Sequence, residues 1–152
     1  MNNQTKDKMS VHFSSEDHTW ETPQDFFDEI NKEFNFTLDP CCLKETAKCA
    51  KYYTPEDDGL IQSWDNEIVF CNPPYGRVIK DWIKKATEQV GGVVVLLIPS
   101  RTDTRYFHDY LYQKENVELR FLKGRLKFGG AKNSAPFPSL LAIINNYDSK
   151  KL

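Results

Sequence analysis

The order of apolar and polar positions divides the chain into alternating helical and extended stretches. Thr22-Pro23-Gln24-Asp25 reads as an N-cap, a proline at the first helical position and an acid three residues after the cap. Phe26, Phe27, Ile30 and Phe34 follow at helical spacing. Phe36-Thr37-Leu38 predicts a short strand that ends at Asp39-Pro40, and residues 41–53 predict a short helix followed by an extended piece. Thr54 to Gly59 is an acidic turn. Residues 67–71 then form a buried strand leading into Asn72-Pro73-Pro74-Tyr75-Gly76. Val78, Ile79, Trp82, Ile83 and Ala86 mark one face of a helix. The unbroken run Val93 to Ile98 has the character of a central parallel strand covered on both faces. Ser100 with Asp103 caps a further helix whose core face is Phe107, Tyr110 and Leu111. Val117 to Phe121 alternates like a strand, and Ser139 to Ile144 supplies the last one. Strands alternating with helices imply an α/β fold with a largely parallel sheet. In such sheets ligands bind beyond the carboxyl ends of the strands, where both proline-containing loops fall.

At 152 residues the chain has the size of one domain, long enough to bury roughly 70% of its unfolded surface. Residues 1–18 are polar and aperiodic, which predicts a loose arm, with a domain at 19–147 and a short tail at 148–152. No apolar run approaches the roughly 20 residues that span a bilayer, and no signal-peptide core is present. The expectation is therefore a protein of the cytoplasm, that of a bacterial host if the gene is carried by a phage or prophage. Net charge is only −2, but it is unevenly distributed. Residues 1–70 hold six Lys/Arg against 15 Asp/Glu, whereas residues 71–152 hold 14 against seven. Such asymmetry points either to a polyanionic partner met by the basic half or, equally, to two halves that folding interleaves into a mixed surface. Cys41, Cys42, Cys49 and Cys71 form no Cys-x-x-Cys pair, so no metal site is expected.

Asn72-Pro73-Pro74-Tyr75 is the most specific feature. Its pattern arises by chance in about one in 200 chains of this length, so a coincidence is the weaker explanation. An exocyclic amine on adenine is a poor nucleophile because its lone pair is conjugated into the ring. The Asn72 side-chain oxygen and the Pro73 carbonyl can each accept one N–H of that amine. Holding both hydrogens pyramidalises the nitrogen and aims its lone pair at a methyl sulfonium, by preorganised dipoles and near-attack geometry. The prolines, Pro74 included, stiffen the loop. Tyr75 offers a ring on which an extruded base can stack.

Further segments accompany this loop: Trp20-Glu21-Thr22-Pro23, Thr37 to Cys41, Ala47-Lys48-Cys49 with Tyr53-Thr54, and Glu56 to Leu60 with Trp64. Beyond it come Arg101 to Thr104, Gly124 to Gly130 and Ala135 to Ser139. On these residues, spread over roughly residues 20–140, the chain resembles the small phage-type DNA N-6-adenine methyltransferases. More broadly it resembles the Rossmann-like S-adenosylmethionine-dependent amino-methyltransferases. The resemblance implies a single Rossmann-like domain, mostly parallel with an antiparallel C-terminal strand pair and helices on both faces. It also implies S-adenosylmethionine as cofactor and DNA as partner. Asp39, Pro40 and Cys41 fall where this class places its acidic cofactor loop. Asp57 and Asp58 follow 18 and 19 residues later, near the interval of a ribose-binding acid. Trp20, Thr22 and Pro23 correspond to a cofactor-contacting segment, although an N-cap explains Thr22 equally well.

Two departures stand out. The loop after Asp39 lacks glycine, and the chain leaves no room for an inserted target-recognition region. In place of such a region, Arg120, Lys123, Arg125, Lys127 and Lys132 lie in an acid-free tract, expected to be a phosphate-facing lip. A solvated strand edge guarded by Lys and Arg is the alternative for this tract. Cytosine C5 methylation through a Cys41 thiolate is a rival, though its nucleophile belongs on the loop that here carries Tyr75. Methylation of cytosine N4, an RNA base or a protein glutamine would use the same acceptor geometry. A DNA-binding module with a vestigial pocket is the non-enzymatic alternative.

Overall fold

A computed structural model describes residues 20–129 and 133–147. The arm expected at 1–18, the tail at 148–152 and Lys132 lie outside the described residues. The remainder builds one six-stranded sheet from β1 (Leu38–Asp39), β2 (Lys51–Tyr52), β3 (Ile68–Cys71), β4 (Val93–Pro99), β5 (Val117–Phe121) and β6 (Ser139–Asn145). The order across the sheet is β2-β1-β3-β4-β6-β5. β1, β2, β3 and β4 pair in parallel, and β6 runs antiparallel between β4 and β5. The sheet is mostly parallel, with its antiparallel strands at the C-terminal end of the chain, as the sequence implied.

Strict alternation on the central strands gives the sheet two apolar faces. Val94, Leu96 and Ile98 of β4 join Val69 and Cys71 of β3 on one face, while Val95, Leu97 and Phe70 serve the other. Helix α2 (Ile79–Glu88) covers the first face with Ile79, Trp82, Ile83 and Ala86, which recur at i, i+3, i+4 and i+7. A π-helical turn at Phe107–Leu111 lies on the same face. Helix α1 (Gln24–Phe34) covers the second, with Phe27 packed edge-on against Phe70 at 5.1 Å. Asn35 ends α1 in the left-handed region at φ 55°, and the Asn31 side chain accepts from the Phe36 N–H at 2.7 Å. No helix among the described residues is long and apolar enough to cross a membrane.

Three local expectations change. α1 starts at Gln24, and its N-cap is Pro23 with no side-chain cap, so Thr22 is not the capping residue. Ser100 does not cap the next helix either: its buried hydroxyl has no hydrogen-bond partner among the described residues. Thr104 does that work, its Oγ1 accepting from the Phe107 N–H at 3.4 Å and its carbonyl from the His108 N–H. The expected regular helix widens into a π turn closed by the Tyr112 N–H to the Phe107 carbonyl at 2.8 Å.

Candidate functional site

β1 continues toward β2 on one side and the sheet grows toward β3 and β4 on the other. A crevice therefore opens at the carboxyl ends of β1 and β3. It holds a cavity of about 1010 Å³, near the upper end of the roughly 300–1,000 Å³ typical of small-molecule sites. Of the residues singled out in the sequence, Trp20, Thr22, Asp39, Pro40, Cys41, Asp58, Asn72, Pro74 and Tyr75 line it. Pro23, Asp57 and Pro73 are not in its wall.

Asn72 is held on every side. Its Nδ2 donates to the Trp20 carbonyl and to Thr22 Oγ1, the latter at 3.0 Å. Its Oδ1 accepts from the Tyr75 hydroxyl at 2.9 Å. Tyr75 is only 5% exposed, sets its ring edge-on to Phe137 at 5.7 Å and also reaches the Leu97 carbonyl at 3.3 Å. Its ring is therefore part of the inner wall rather than a stacking platform displayed at the surface. An amide oxygen has two lone pairs, so Asn72 Oδ1 keeps one acceptor direction beyond the Tyr75 bond.

Asp39 closes the opposite side. Its carboxylate is 3% exposed and accepts from the Lys48 N–H at 3.0 Å and the Cys41 N–H at 3.3 Å, which ties the 41–48 loop to the strand end. Desolvation pushes its pKa up to about 6, against the partial opposition of those N–H bonds. Burial, reinforced by the Asp39 charge, also pushes the Cys41 thiol far above its usual range. The nucleophilic thiolate required for C5 chemistry is thereby disfavoured.

The two candidate ribose acids separate. Asp57 Oδ2 accepts from the Thr54 N–H at 2.9 Å and hydroxyl at 3.2 Å, closing a turn. Asp58, at φ 58°, lines the cavity and accepts from the Leu60 N–H at 3.2 Å. The next residue must be glycine, because a Cβ on Gly59 would stand 2.2 Å from the Pro40 carbonyl oxygen and 3.0 Å from Trp82. Trp64 Nε1 donates to the Gly59 carbonyl at 2.9 Å and fixes this wall from beneath.

The basic tract divides as well. Arg120 forms two 2.7 Å bonds to Glu33 and a 2.6 Å bond to Glu118, on β5 at the far edge of the sheet. The pairing holds the Glu33 carboxyl below its usual range and leaves Arg120 engaged away from the cavity. Lys123, Arg125 and Lys127 are exposed, with no carboxylate partner among the described residues. Between and beyond them, Leu122, Leu126 and Phe128 pack on the second face of the sheet. Phe128 meets Trp20 at 5.4 Å, and the Gly129 N–H donates to the Glu21 carbonyl at 2.8 Å. The strap therefore ends on the rim of the cavity. Sequence reasoning passed over Arg77, an exposed cation in the wall; its place directly after Asn-Pro-Pro-Tyr-Gly was the available signal.

Comparison with known proteins places the chain in a family. Residues 9–151 match the family described as DNA N-6-adenine-methyltransferase (Dam). YfdM of Escherichia coli (strain K12), named as a candidate methyltransferase, is 41% identical over 63 residues, covering 37% of this chain and 69% of YfdM. The DNA N-6-adenine-methyltransferase of Escherichia phage T1 is 30% identical over 92 residues, covering 58% of this chain. The match spans only 38% of that phage enzyme's length. With the sheet, the cavity and the Asn72 loop in place, the match over nearly the whole sequence identifies the chain as a member of the Dam family of DNA N-6-adenine-methyltransferases.

Proposed function

We propose that this protein transfers a methyl group from S-adenosylmethionine to the exocyclic N6 of adenine in DNA, with the target base turned out of the helix. The observation that carries the reading is the Asn72 amide, locked by three hydrogen bonds in the wall of a large cavity it shares with the buried Asp39. Family membership and the phage T1 relative support the substrate. Asn72 Oδ1, in the cavity wall, accepts one N–H of the adenine amine; the Pro73 carbonyl is the acceptor we assign to the other, although Pro73 itself does not line the cavity, and Pro74 stiffens the loop. Tyr75, with Trp20 and Phe70, gives the base an aromatic wall. A DNA substrate fits a cytoplasmic place of action.

The cavity suits the cofactor in size and donor set. Asp39 offers a desolvated carboxylate to the methionine ammonium group, Asp58 an acceptor to the ribose hydroxyls, and Trp20, Pro40 and Cys41 apolar contact. S-adenosylmethionine, when bound, supplies a methyl group on an electrophilic sulfonium centre. Asp39 makes this binding dependent on pH. Its folded-state pKa lies above the ordinary 3.8, so the protonated form adds stability that is complete below 3.8 and lost as pH rises through about 6. A cation beside Asp39 favours the carboxylate, so cofactor affinity rises with pH through about 6 and levels off above it. At pH 5 binding is expected to be about tenfold weaker than at pH 8. Calorimetry in buffers of different ionisation enthalpy reads the accompanying proton release. A flat affinity from pH 5 to 8 removes Asp39 from the ammonium site.

Lys123, Arg125 and Lys127 form the DNA-facing strap, with Lys132 further along the same tract. Neutralising Arg125 and Lys127 together is expected to reduce the slope of log affinity against log salt by about 1.8 on duplex DNA, about 0.9 for each phosphate contact. An unchanged slope would return the strap to the role of a solvated edge.

The activity is tested with labelled S-adenosylmethionine and unmethylated DNA, followed by digestion to nucleosides and mass identification. N6-methyldeoxyadenosine is the expected product. N4-methyldeoxycytidine would keep the cofactor and reassign the pocket. DNA retention with no cofactor binding would mark a non-catalytic module.

A further inference from the structure

We infer that Thr22 is a positioning residue whose hydroxyl anchors the Asn72 amide in the orientation that the Trp20 carbonyl selects. The inference builds on the reading of Asn72 as acceptor for the substrate amine. The oxygen and nitrogen of an asparagine amide are nearly equal in size, and a half-turn of the side chain exchanges them. Only the oxygen can accept an amine N–H, so catalysis requires something to forbid the exchange. The Trp20 carbonyl can only accept, which reserves one Nδ2 hydrogen. Thr22 Oγ1 takes the second at 3.0 Å; a hydroxyl can equally donate to an oxygen, so the Trp20 carbonyl selects the orientation and Thr22 anchors the amide in it. With both hydrogens engaged on one side, Oδ1 faces the Tyr75 hydroxyl.

The burial of Thr22 supports this role. The side chain is 4% exposed, and a buried hydroxyl carries a desolvation cost unless it is bonded. Capping would be the ordinary use of a threonine at the mouth of a helix, yet α1 has no side-chain cap. The hydroxyl instead crosses 50 positions of sequence to meet Asn72. Thr22 thereby joins the segment expected to touch the cofactor to the group expected to hold the base.

The test uses the full chain with Thr22→Val, which keeps the shape, and Thr22→Ser, which keeps the hydroxyl. At saturating S-adenosylmethionine and DNA, Thr22→Val is expected to lose about tenfold or more in kcat, with cofactor Kd within about threefold of the parent. Thr22→Ser restores kcat. An activity-independent readout is the Asn72 side-chain amide in a nitrogen-15 spectrum, assigned by its disappearance in Asn72→Asp. Its hydrogen exchange is expected to accelerate about tenfold or more in Thr22→Val and to recover in Thr22→Ser. Unchanged kcat with a raised Kd would overturn the inference in favour of a simple cofactor contact. An unaltered Asn72 amide in Thr22→Val would overturn it as well. If the parent protein methylates no adenine, the functional reading fails separately, and the amide spectrum alone decides whether Thr22 anchors Asn72.

Discussion

Asn72→Ala is expected to lower single-turnover methyl transfer by at least about 100-fold, the scale seen when one preorganised hydrogen-bonding group is removed from a transition state. The alanine deletes the acceptor aimed at the amine and, with it, two donors and the partner of the Tyr75 hydroxyl. Trp20 and Thr22 lose their tether, so cofactor affinity should fall too, by a smaller factor. Tyr75→Phe separates the contributions: it removes one bond to Oδ1 and leaves the Nδ2 bonds intact, so a loss of only a few-fold is expected. Rapid-quench transfer at saturating cofactor, with calorimetric Kd alongside, checks both variants. Transfer by Asn72→Ala within threefold of the parent would exclude the amide from the reaction.

Trp64→Ala should have the largest effect on stability. Trp64 is 1% exposed, lies 6.0 Å from the Trp82 ring and donates Nε1 to the Gly59 carbonyl. Truncating a buried aromatic to alanine costs about 3–5 kcal/mol. At roughly 2–4 °C per kcal/mol for a chain of this size, Tm should fall by about 6–20 °C. The consequence reaches the cavity, because the Gly59 turn carries Asp58 into its wall. Trp64→Phe retains most of the ring and loses the N–H, for an expected cost of about 1–2 kcal/mol. Thermal unfolding of both variants reads the difference. Equal midpoints for Trp64→Ala and the parent would mean that the wall does not depend on this ring.

Most of the architecture was legible because it follows from periodicity. β4 is an unbroken apolar run because both its faces are covered, and α2 shows its buried stripe at helical spacing. The Asn72 loop could be placed because a strand must precede it. Local polar chemistry was harder to read. Thr22 and Ser100 both have the composition of caps, and neither caps a helix, because a hydroxyl chooses among partners that only the tertiary fold brings near. Asp57 and Asp58 are adjacent and chemically identical, and only the left-handed turn at Asp58 decides which one meets the cavity. Arg120 belonged to a basic tract by composition, yet Glu33, 87 positions away, holds it elsewhere.

The position of β6 has a consequence for the order of events during synthesis. This strand is the last of the described elements along the chain, yet it lies between β4 and β5 and pairs with β4 along all seven of its residues. A nascent chain that has emerged only as far as β5 therefore has an unfilled slot between β4 and the edge strand β5. The apolar flank of β4 stays uncovered until Ser139–Asn145 leaves the ribosome. Completion of the fold has to await that segment, so the Asn72 and Asp39 strand ends gain their rigid backing only after translation has passed the C-terminal strand.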